Sequence, residues 1–549
     1  MSKLLPKYTF GALFILLVTF AVFFALEFNS NNPYFSGYDS FYHIGIAEQI
    51  MKSGLPHKFP YLYYTTLNDN FTDNHLLFHL LLIPFIAIFG NIVGPKLFIV
   101  ITFSLIFTFL YIFLKKLKFE WALLFTAIAF FLEPSDFYFR QAFIRDPTPS
   151  LLFLILAIWF LAEKRWKILT ALAFLYGWLY TGGGFLFLVA LLLIYGFVSV
   201  FIRFSQSGTV SKQYIKSVLK LTALPIFATG LSLIINPYFP ANVKSIFLQV
   251  LETGIGAKDY VGGEWAPYDT WFWVGISYVP LLIWFSAIVI ALHKKVKINR
   301  IAWTVFFFSI LLLFLQWKSK RFVEYWPFFA ILSGILLAGK QIEEWGKNVL
   351  YSLSSQVSVA KPVIRVSKIQ KSKHLDPRLR GDDNNIIKFY AQRIGISLLI
   401  IILFIVSYSY ASKEWSRAWH DTASSLDFNV DAAKEAHNYL IDNSNSGDIV
   451  FTDDWDVFPL YFYLNQKDYY IVGLDPEFMN QYNPKLYREF AAISSGSSSG
   501  NMERIKTDFN AKWVIVASDH PDFLENLQNQ PGLFKQVFLN EEYTVFKVL

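Results

Sequence analysis

The chain contains no cysteine, which excludes disulfides and any thiol chemistry, although many exported prokaryotic domains lack bridges too and no compartment follows. A cleavage site is also missing. The first apolar run, Tyr8 to Leu26, follows Lys3 and Lys7, but it is too long for the apolar part of a signal peptide, and Glu27-Phe28-Asn29-Ser30 offers no small-residue cleavage site. It is expected to be a retained anchor. No internal symmetry of the kind found in many transporters is visible. The net charge of +7 does not indicate nucleic-acid binding, because the basic residues sit in loops between apolar runs. What the chain does have is apolar surface. With 54% hydrophobic and 19% aromatic residues, it exceeds any ordinary soluble chain, so lipid must solvate most of it.

A membrane span needs about 20 mostly apolar residues, and such runs recur through residues 1–411 but not in 412–549. Lysine and arginine in short loops fix orientation. With Lys3 and Lys7 on the cytoplasmic side, Asn29 to Asp73 falls outside. His75 to Phe89 is short for a span, and reading it as an interfacial helix keeps Lys115, Lys116 and Lys118 inside and every later loop consistent. The result is an α-helical polytopic protein of about eleven spans, the last at Ile394 to Tyr410, in the plasma membrane. Residues 412–549 are then an extracytoplasmic domain. Asp431 to Ile441 has helical spacing, and Asp448–Thr452, Tyr469–Gly473, Lys512–Ala517 and Glu541–Leu549 read as strands, so a small α/β unit is expected. Ser494 to Gly500 reads as a flexible loop.

The polar, basic segment 354–385 has no apolar period and is expected to be disordered on the cytoplasmic side. Its text from Lys361 through Asp383 resembles the translated palindromic repeats that insert into bacterial reading frames, which implies a passenger.

Ionisable groups near a bilayer are costly, so those at the outer span ends are informative. Five stretches carry them. Asp39, in Ser36-Gly-Tyr-Asp-Ser-Phe-Tyr-His43, is either a helix cap or a general base and metal ligand. Glu133 to Pro147 holds Arg140, Arg145 and Asp146; the arginines either snorkel to headgroups or grip phosphate with their forked donors. Glu264 lies in the outer loop Asn236 to Thr270. Arg321 and Glu324 enter the outer end of a span, where basic residues break the charge rule and an anionic lipid-linked ligand would account for them. Trp455 and Asp456 follow a strand in the soluble domain.

In order, these stretches resemble the GT-C class of polytopic glycosyltransferases that use polyprenyl-linked sugar donors. The resemblance is nearest to the catalytic subunit of oligosaccharyltransferase, and next to the polyprenyl-phosphate sugar transferases of the protein mannosyltransferase and aminoarabinose transferase type. Tyr38-Asp39 with Tyr42-His43 resembles the acidic site after the first span, and Thr72 through Phe89-Gly90 resembles the interfacial helix of the mannosyltransferase type. Arg140 and Asp146 match the second outer loop, where the second acid is replaced by Thr148 or Ser150. Glu264 resembles the glutamate of the mobile outer loop, and Arg321-Phe-Val-Glu-Tyr-Trp-Pro327 the stretch whose arginine contacts donor phosphate. Asp454-Trp-Asp-Val-Phe458 departs from the Trp-Trp-Asp-Tyr-Gly motif that holds a peptide acceptor.

The resemblance implies transfer of a sugar or oligosaccharide from a polyprenyl phosphate or pyrophosphate to a protein, glycan or lipid acceptor, with inversion. Arg321, with Arg140 or Arg145, would stabilise the departing phosphate. Asp39 would activate the acceptor, or orient it through a divalent cation, Mg²⁺ or Mn²⁺, shared with Asp146 and Glu264. Trp455 and Asp456 would hold the acceptor, with His43, Asp73, His75 and His79 as secondary candidates. The rival readings are a metal-free single-sugar transferase, a lipid-linked glycan flippase and a surface-anchored binding module.

Overall fold

The structure is a computed structural model that describes residues 9–29, 33–247, 250, 263–294, 299–357, 405–424, 429–497 and 501–549. Of the insertion read at 354–385, positions 358–385 lie outside the described residues, as do 394–404 of the last expected span and 498–500 of the Ser/Gly loop.

The membrane part is a helix bundle. It comprises α1 (Thr9–Glu27), α2 (Asp39–Ser53), α3 (Leu76–Lys116), α4 (Ala122–Phe131), α5 (Ser135–Gln141), α6 (Pro147–Ala162), α7 (Trp166–Leu179), α8 (Phe185–Ser207) and α9 (Lys212–Ile234). It continues through α10 (Ala241–Phe247), α11 (Thr270–His293), α12 (Arg300–Lys318), α13 (Trp326–Val357) and α14 (405–423). Among the described residues six helices (α1, α3, α8, α9, α11 and α12) are long and apolar enough to cross a bilayer, or seven if the bent pair α4–α5 is one span. The first expected run is helical from Thr9, the run before Gly90 from Leu76, and the described end of the last from residue 405. The chain is a multi-pass integral membrane protein. Its lipid-facing sides are apolar as well, with Phe197, Phe227 and Leu292 mostly exposed.

Two interruptions shape the site. Gly90 breaks α3 at φ 80°, a left-handed conformation that glycine adopts without strain. The chain then doubles back so tightly that a Cβ on Gly94 would sit 2.3 Å from the Phe85 carbonyl oxygen. The expected separate helix before Gly90 is therefore present as the first limb of α3. The second break bends α5 by 86° from α4, and Pro134 sits at the corner.

The C-terminal part contains α15 (Val430–Asn443), β1 (Ile449–Thr452), α16 (Phe458–Leu464), β2 (Tyr469–Tyr470), α17 (Pro476–Tyr482), α18 (Pro484–Ser494) and α19 (Arg504–Thr507). It ends with β3 (Trp513–Ala517), α20 (Pro521–Gln528), β4 (Phe534–Leu539) and β5 (Tyr543–Val548). The strands form one sheet in the order β2-β1-β3-β5-β4, with β1 parallel to β2 and β3, and β5 antiparallel to β3 and β4. Side chains alternate across it. Phe451, Val514 and Phe546 pack on one face, while Val450, Ile515 and Val545 join the core that continues into the helix bundle. This domain is fastened to the membrane part. Gly45 of α2 lies so close to α16 that a Cβ would meet the Phe462 ring at 2.8 Å. The loop after α2 adds to the sheet edge, with Tyr63 N donating to Tyr470 O at 3.0 Å and Tyr470 N to Tyr61 O at 2.8 Å. Helix α14 runs unbroken through residues 411 and 412, so the two expected domains share it.

Candidate active site

Six segments far apart in sequence meet at one cavity of about 450 Å³. Asp39 and His43 come from α2, His75 from the start of α3, and Arg145 and Asp146 from the link between α5 and α6. Glu264 and Arg321 are carried by two 3₁₀ turns, Gly263–Trp265 and Lys320–Glu324, and Trp455 and Asp456 by the loop after β1. Of the residues named from sequence, Arg140, Glu324, Asp73 and His79 do not line it. The two 3₁₀ turns clasp each other, since Ser319 Oγ donates to Glu264 O at 2.8 Å and Lys320 N to Ala266 O at 3.0 Å.

One side of the cavity is an alternating lattice of arginines and carboxylates. Arg140 Nε donates to Glu324 Oε1 at 2.7 Å and Arg140 Nη2 to Glu264 Oε2 at 2.6 Å. Arg145 Nη1 donates to Asp39 Oδ2 at 2.8 Å and lies 3.7 Å from Glu264 Oε2, and Arg145 Nη2 also binds Glu324. Arg321 Nη1 donates to Glu264 Oε1 at 2.9 Å. Burial alone would push the Glu264 carboxyl up, but Arg321, Arg140 and Arg145 outweigh it and hold the group well below the usual carboxylate range. Aromatic faces back the guanidinium groups, Phe143 at 4.9 Å from Arg145 and Trp265 at 5.0 Å from Arg321. Glycine at 37 makes room for this. It has φ +70°, and a Cβ there would meet the Phe143 ring at 2.5 Å.

Glu324 is 1% exposed and bridges Arg140 and Arg145. Sequence reading noted it beside Arg321 without giving it a role. Asp39 is the first residue of α2, one position past the cap residue Tyr38, and its carboxylate accepts from Arg145. Tyr180, in the break between α7 and α8, also lines the cavity and was missed; its only sequence signal is the Gly182-Gly-Gly184 that follows between two apolar runs. Thr148 and Ser150, where the resembled family has a second acid, are turned to packing. Thr148 donates to Gln141 Oε1 at 2.8 Å, and Ser150 Oγ lies 2.6 Å from the Tyr176 hydroxyl.

The other side is rich in histidine. His79 Nδ1 lies 2.8 Å from Asp73 Oδ2, and His43 Nδ1 lies 2.8 Å from His79 Nε2. His75 Nδ1 is 3.0 Å from Asp146 Oδ1, close enough for an ion pair, yet among the described residues neither His75 Nδ1 nor Asp146 Oδ2 has a hydrogen-bond partner. The sequence reading placed a cation on Asp39, Asp146 and Glu264. All three line the cavity, but Asp39 and Glu264 are engaged by arginines. Among the described residues, the ligand atoms that gather within 4.8 Å here belong to His43, His75 and Asp146.

The architecture is that of the GT-C class, a bundle of apolar helices carrying a small C-terminal sheet domain. Two solved structures illustrate the likeness. An archaeal oligosaccharyltransferase, AglB from Archaeoglobus fulgidus, in complex with an inhibitory peptide and a dolichol-phosphate, aligns with a TM-score of 0.59 at 13% identity, over 94% of this chain and 70% of that one. ArnT from Cupriavidus metallidurans bound to undecaprenyl phosphate aligns with a TM-score of 0.54 at 13% identity, over 98% of both chains. No protein-family model and no curated protein matches the sequence.

Proposed function

We propose that this chain is a membrane glycosyltransferase that moves a sugar or oligosaccharide from a polyprenyl phosphate or pyrophosphate to an acceptor on the non-cytoplasmic face of the plasma membrane. The observation that carries this reading is the convergence, in a GT-C fold, of Arg145, Arg321, Asp39 and Glu264 with Trp455 and Asp456 on a single cavity. In such a transfer, positive charge grows at the anomeric carbon while negative charge leaves with phosphate. Among the described residues the Arg321 side chain makes one hydrogen bond, to Glu264, which leaves its remaining donors for a phosphate. Asp39, half exposed in the cavity, is the acid best placed to orient or deprotonate an acceptor hydroxyl. An inverting displacement follows if acceptor and phosphate approach from opposite ends of the cavity.

Backbone bonds between the loop after α2 and β2 hold residues 57–66 and the sheet on one side of the molecule. The charge rule puts that loop outside, which supports an extracytoplasmic domain over residues 412–549 and a membrane domain over 1–411. The acceptor is a protein, glycan or lipid. Asp454-Trp-Asp-Val-Phe458, in place of the motif that holds a peptide acceptor in the resembled family, supports an acceptor other than a peptide. The direct test is sugar transfer from a radiolabelled polyprenyl donor in purified membranes. Asp39→Asn and Asp146→Asn should each abolish it, and unchanged transfer in both would overturn the reading.

A further inference from the structure

The charges around the cavity divide unevenly. In the arginine lattice, Arg140, Arg145 and Arg321 face Asp39, Glu264 and Glu324, so its formal charge already cancels. On the histidine side, Asp73 and Asp146 are buried, and among the described residues no lysine or arginine pairs with either. Two buried carboxylates without a fixed counter-charge are costly.

The rings around them have assigned donors. Asp73 accepts on Oδ1 from the His75 backbone N–H at 2.8 Å and on Oδ2 from His79 Nδ1 at 2.8 Å. With its proton on Nδ1, neutral His79 offers Nε2 as an acceptor, so His43 Nδ1, 2.8 Å away, must be the donor. His43 is left with a lone pair on Nε2. A carboxylate behind a histidine that fixes its tautomer is the usual backing of a metal-binding imidazole. Asp146 is 2% exposed, occupies the position before α6 without capping it, and keeps Oδ2 unbonded.

We propose that His43, His75 and Asp146 bind one divalent transition cation, of the Zn²⁺ or Mn²⁺ type, at the wall of the cavity, with His79 and Asp73 as positioning residues. Two imidazoles and one carboxylate make a borderline donor set that disfavours Mg²⁺, and three protein ligands leave coordination positions open toward the cavity. The ion's two charges would match the two carboxylates. A role for it beside a donor phosphate rests on the transferase reading, but binding of the ion does not.

The test uses the full chain, purified in detergent and stripped with chelator, titrated calorimetrically with ZnCl₂, MnCl₂ and MgCl₂ in the absence of any sugar donor. One ion per chain is expected, with Zn²⁺ or Mn²⁺ well ahead of Mg²⁺. Asp73→Asn or His79→Ala should weaken it about 10- to 100-fold. His43→Ala, His75→Ala and Asp146→Asn should weaken it further, while Asp39→Asn should leave it intact. Co²⁺ loaded into the unmutated chain should show the visible absorption of an imidazole-ligated ion, a readout independent of variant folding. Absence of binding to the stripped chain, Mg²⁺ binding as tightly as Zn²⁺, or loss of the ion in Asp39→Asn but not in His43→Ala would each overturn the proposal. The first outcome would mean that the two carboxylates are accommodated without a metal ion, and it would leave the transferase reading standing.

Discussion

Arg321 offers the sharpest test of the donor site. It is bound to Glu264 at 2.9 Å, stacked on Trp265 at 5.0 Å and about a fifth exposed, so it is neither a structural cation buried in the lattice nor a free surface residue. Replacing it with glutamine removes a positive charge from the place where the leaving phosphate gains negative charge. Loss of one such preorganised donor costs on the order of 10²–10³ in kcat, about 3–4 kcal/mol. Part of any loss could instead come from Glu264, freed of one partner and left to Arg140 and Arg145. A double-mutant cycle separates the two. If Arg321 only neutralises Glu264, then Arg321→Gln/Glu264→Gln should regain most of the activity. If it acts on the phosphate, the double variant should be no better than Arg321→Gln. The assay is transfer from a radiolabelled polyprenyl donor at saturating acceptor, with kcat and KM determined separately. Activity of Arg321→Gln within about threefold of the parent, or rescue in the double variant, would refute the assignment.

Three other outcomes are expected. Gly37→Ala places a Cβ 2.5 Å from the Phe143 ring at a φ of +70°, so thermal unfolding should reveal a loss of about 1–3 kcal/mol, with Gly54→Ala, whose Cβ meets nothing within 4 Å, as the control for φ alone. Trp455→Ala and Asp456→Asn should raise KM for the acceptor while leaving donor affinity unchanged; equal changes in both would place these residues elsewhere in the cycle. Burial pushes the Asp453 carboxyl from 3.8 up to about 6, against the lowering effects of His520 and the Ala517 N–H. A raised folded-state pKa contributes stability below pH ~4 that is lost as pH rises through about 6, so the parent should lose up to about 3 kcal/mol relative to Asp453→Asn over that window and nothing beyond it. A flat difference would contradict the burial argument.

The bundle was legible because each apolar run carries its own length and composition, and Gly90 marks its break by residue type. Four of the five strands were legible for the same local reason. β4, Phe534–Leu539, was not, because it is an edge strand with a register irregularity between Gln536 and Phe538 and no clean alternation of buried positions. The site divides in the same way. Asp39, Asp146, Glu264, Arg140, Arg145 and Arg321 could be named because charge next to apolar runs is anomalous, and the spacing of His75 and His79 puts both on one helical face. Their pairings could not be read. Arg145 and Glu324 are 179 residues apart, and His43 meets His79 only through the packing of α2 on α3. Asp39 therefore also read as a cap, and of the three carboxylates read as cation ligands, Asp39 and Glu264 are paired with arginines while Asp146 faces His75.

The lattice carboxylates carry the same charge in very different surroundings, and this makes removal of a charge informative. Glu324 is 1% exposed, bonded to two arginines, and its backbone oxygen accepts from Gln141 Nε2 at 2.8 Å. Glu324→Gln leaves Arg140 and Arg145 buried with one counter-charge fewer, and breaking a buried pair costs about 3–5 kcal/mol, so this variant should unfold at markedly lower temperature. Glu264 is 28% exposed and faces the cavity that a phosphate would enter. There its charge repels the ligand and occupies Arg321. At a separation of about 6 Å and an effective dielectric of about 20, the repulsion is worth about 3 kcal/mol. Glu264→Gln should therefore fold normally and bind polyprenyl phosphate about tenfold or more tightly, while turnover falls because the product phosphate leaves more slowly. Equilibrium binding of labelled polyprenyl phosphate measures the first effect and single-turnover against steady-state rates the second. If Glu264→Gln bound the phosphate more weakly than the parent, the carboxylate would be part of the donor site and not its competitor, and the division of the lattice into a fixed Glu324 and a displaceable Glu264 would be wrong.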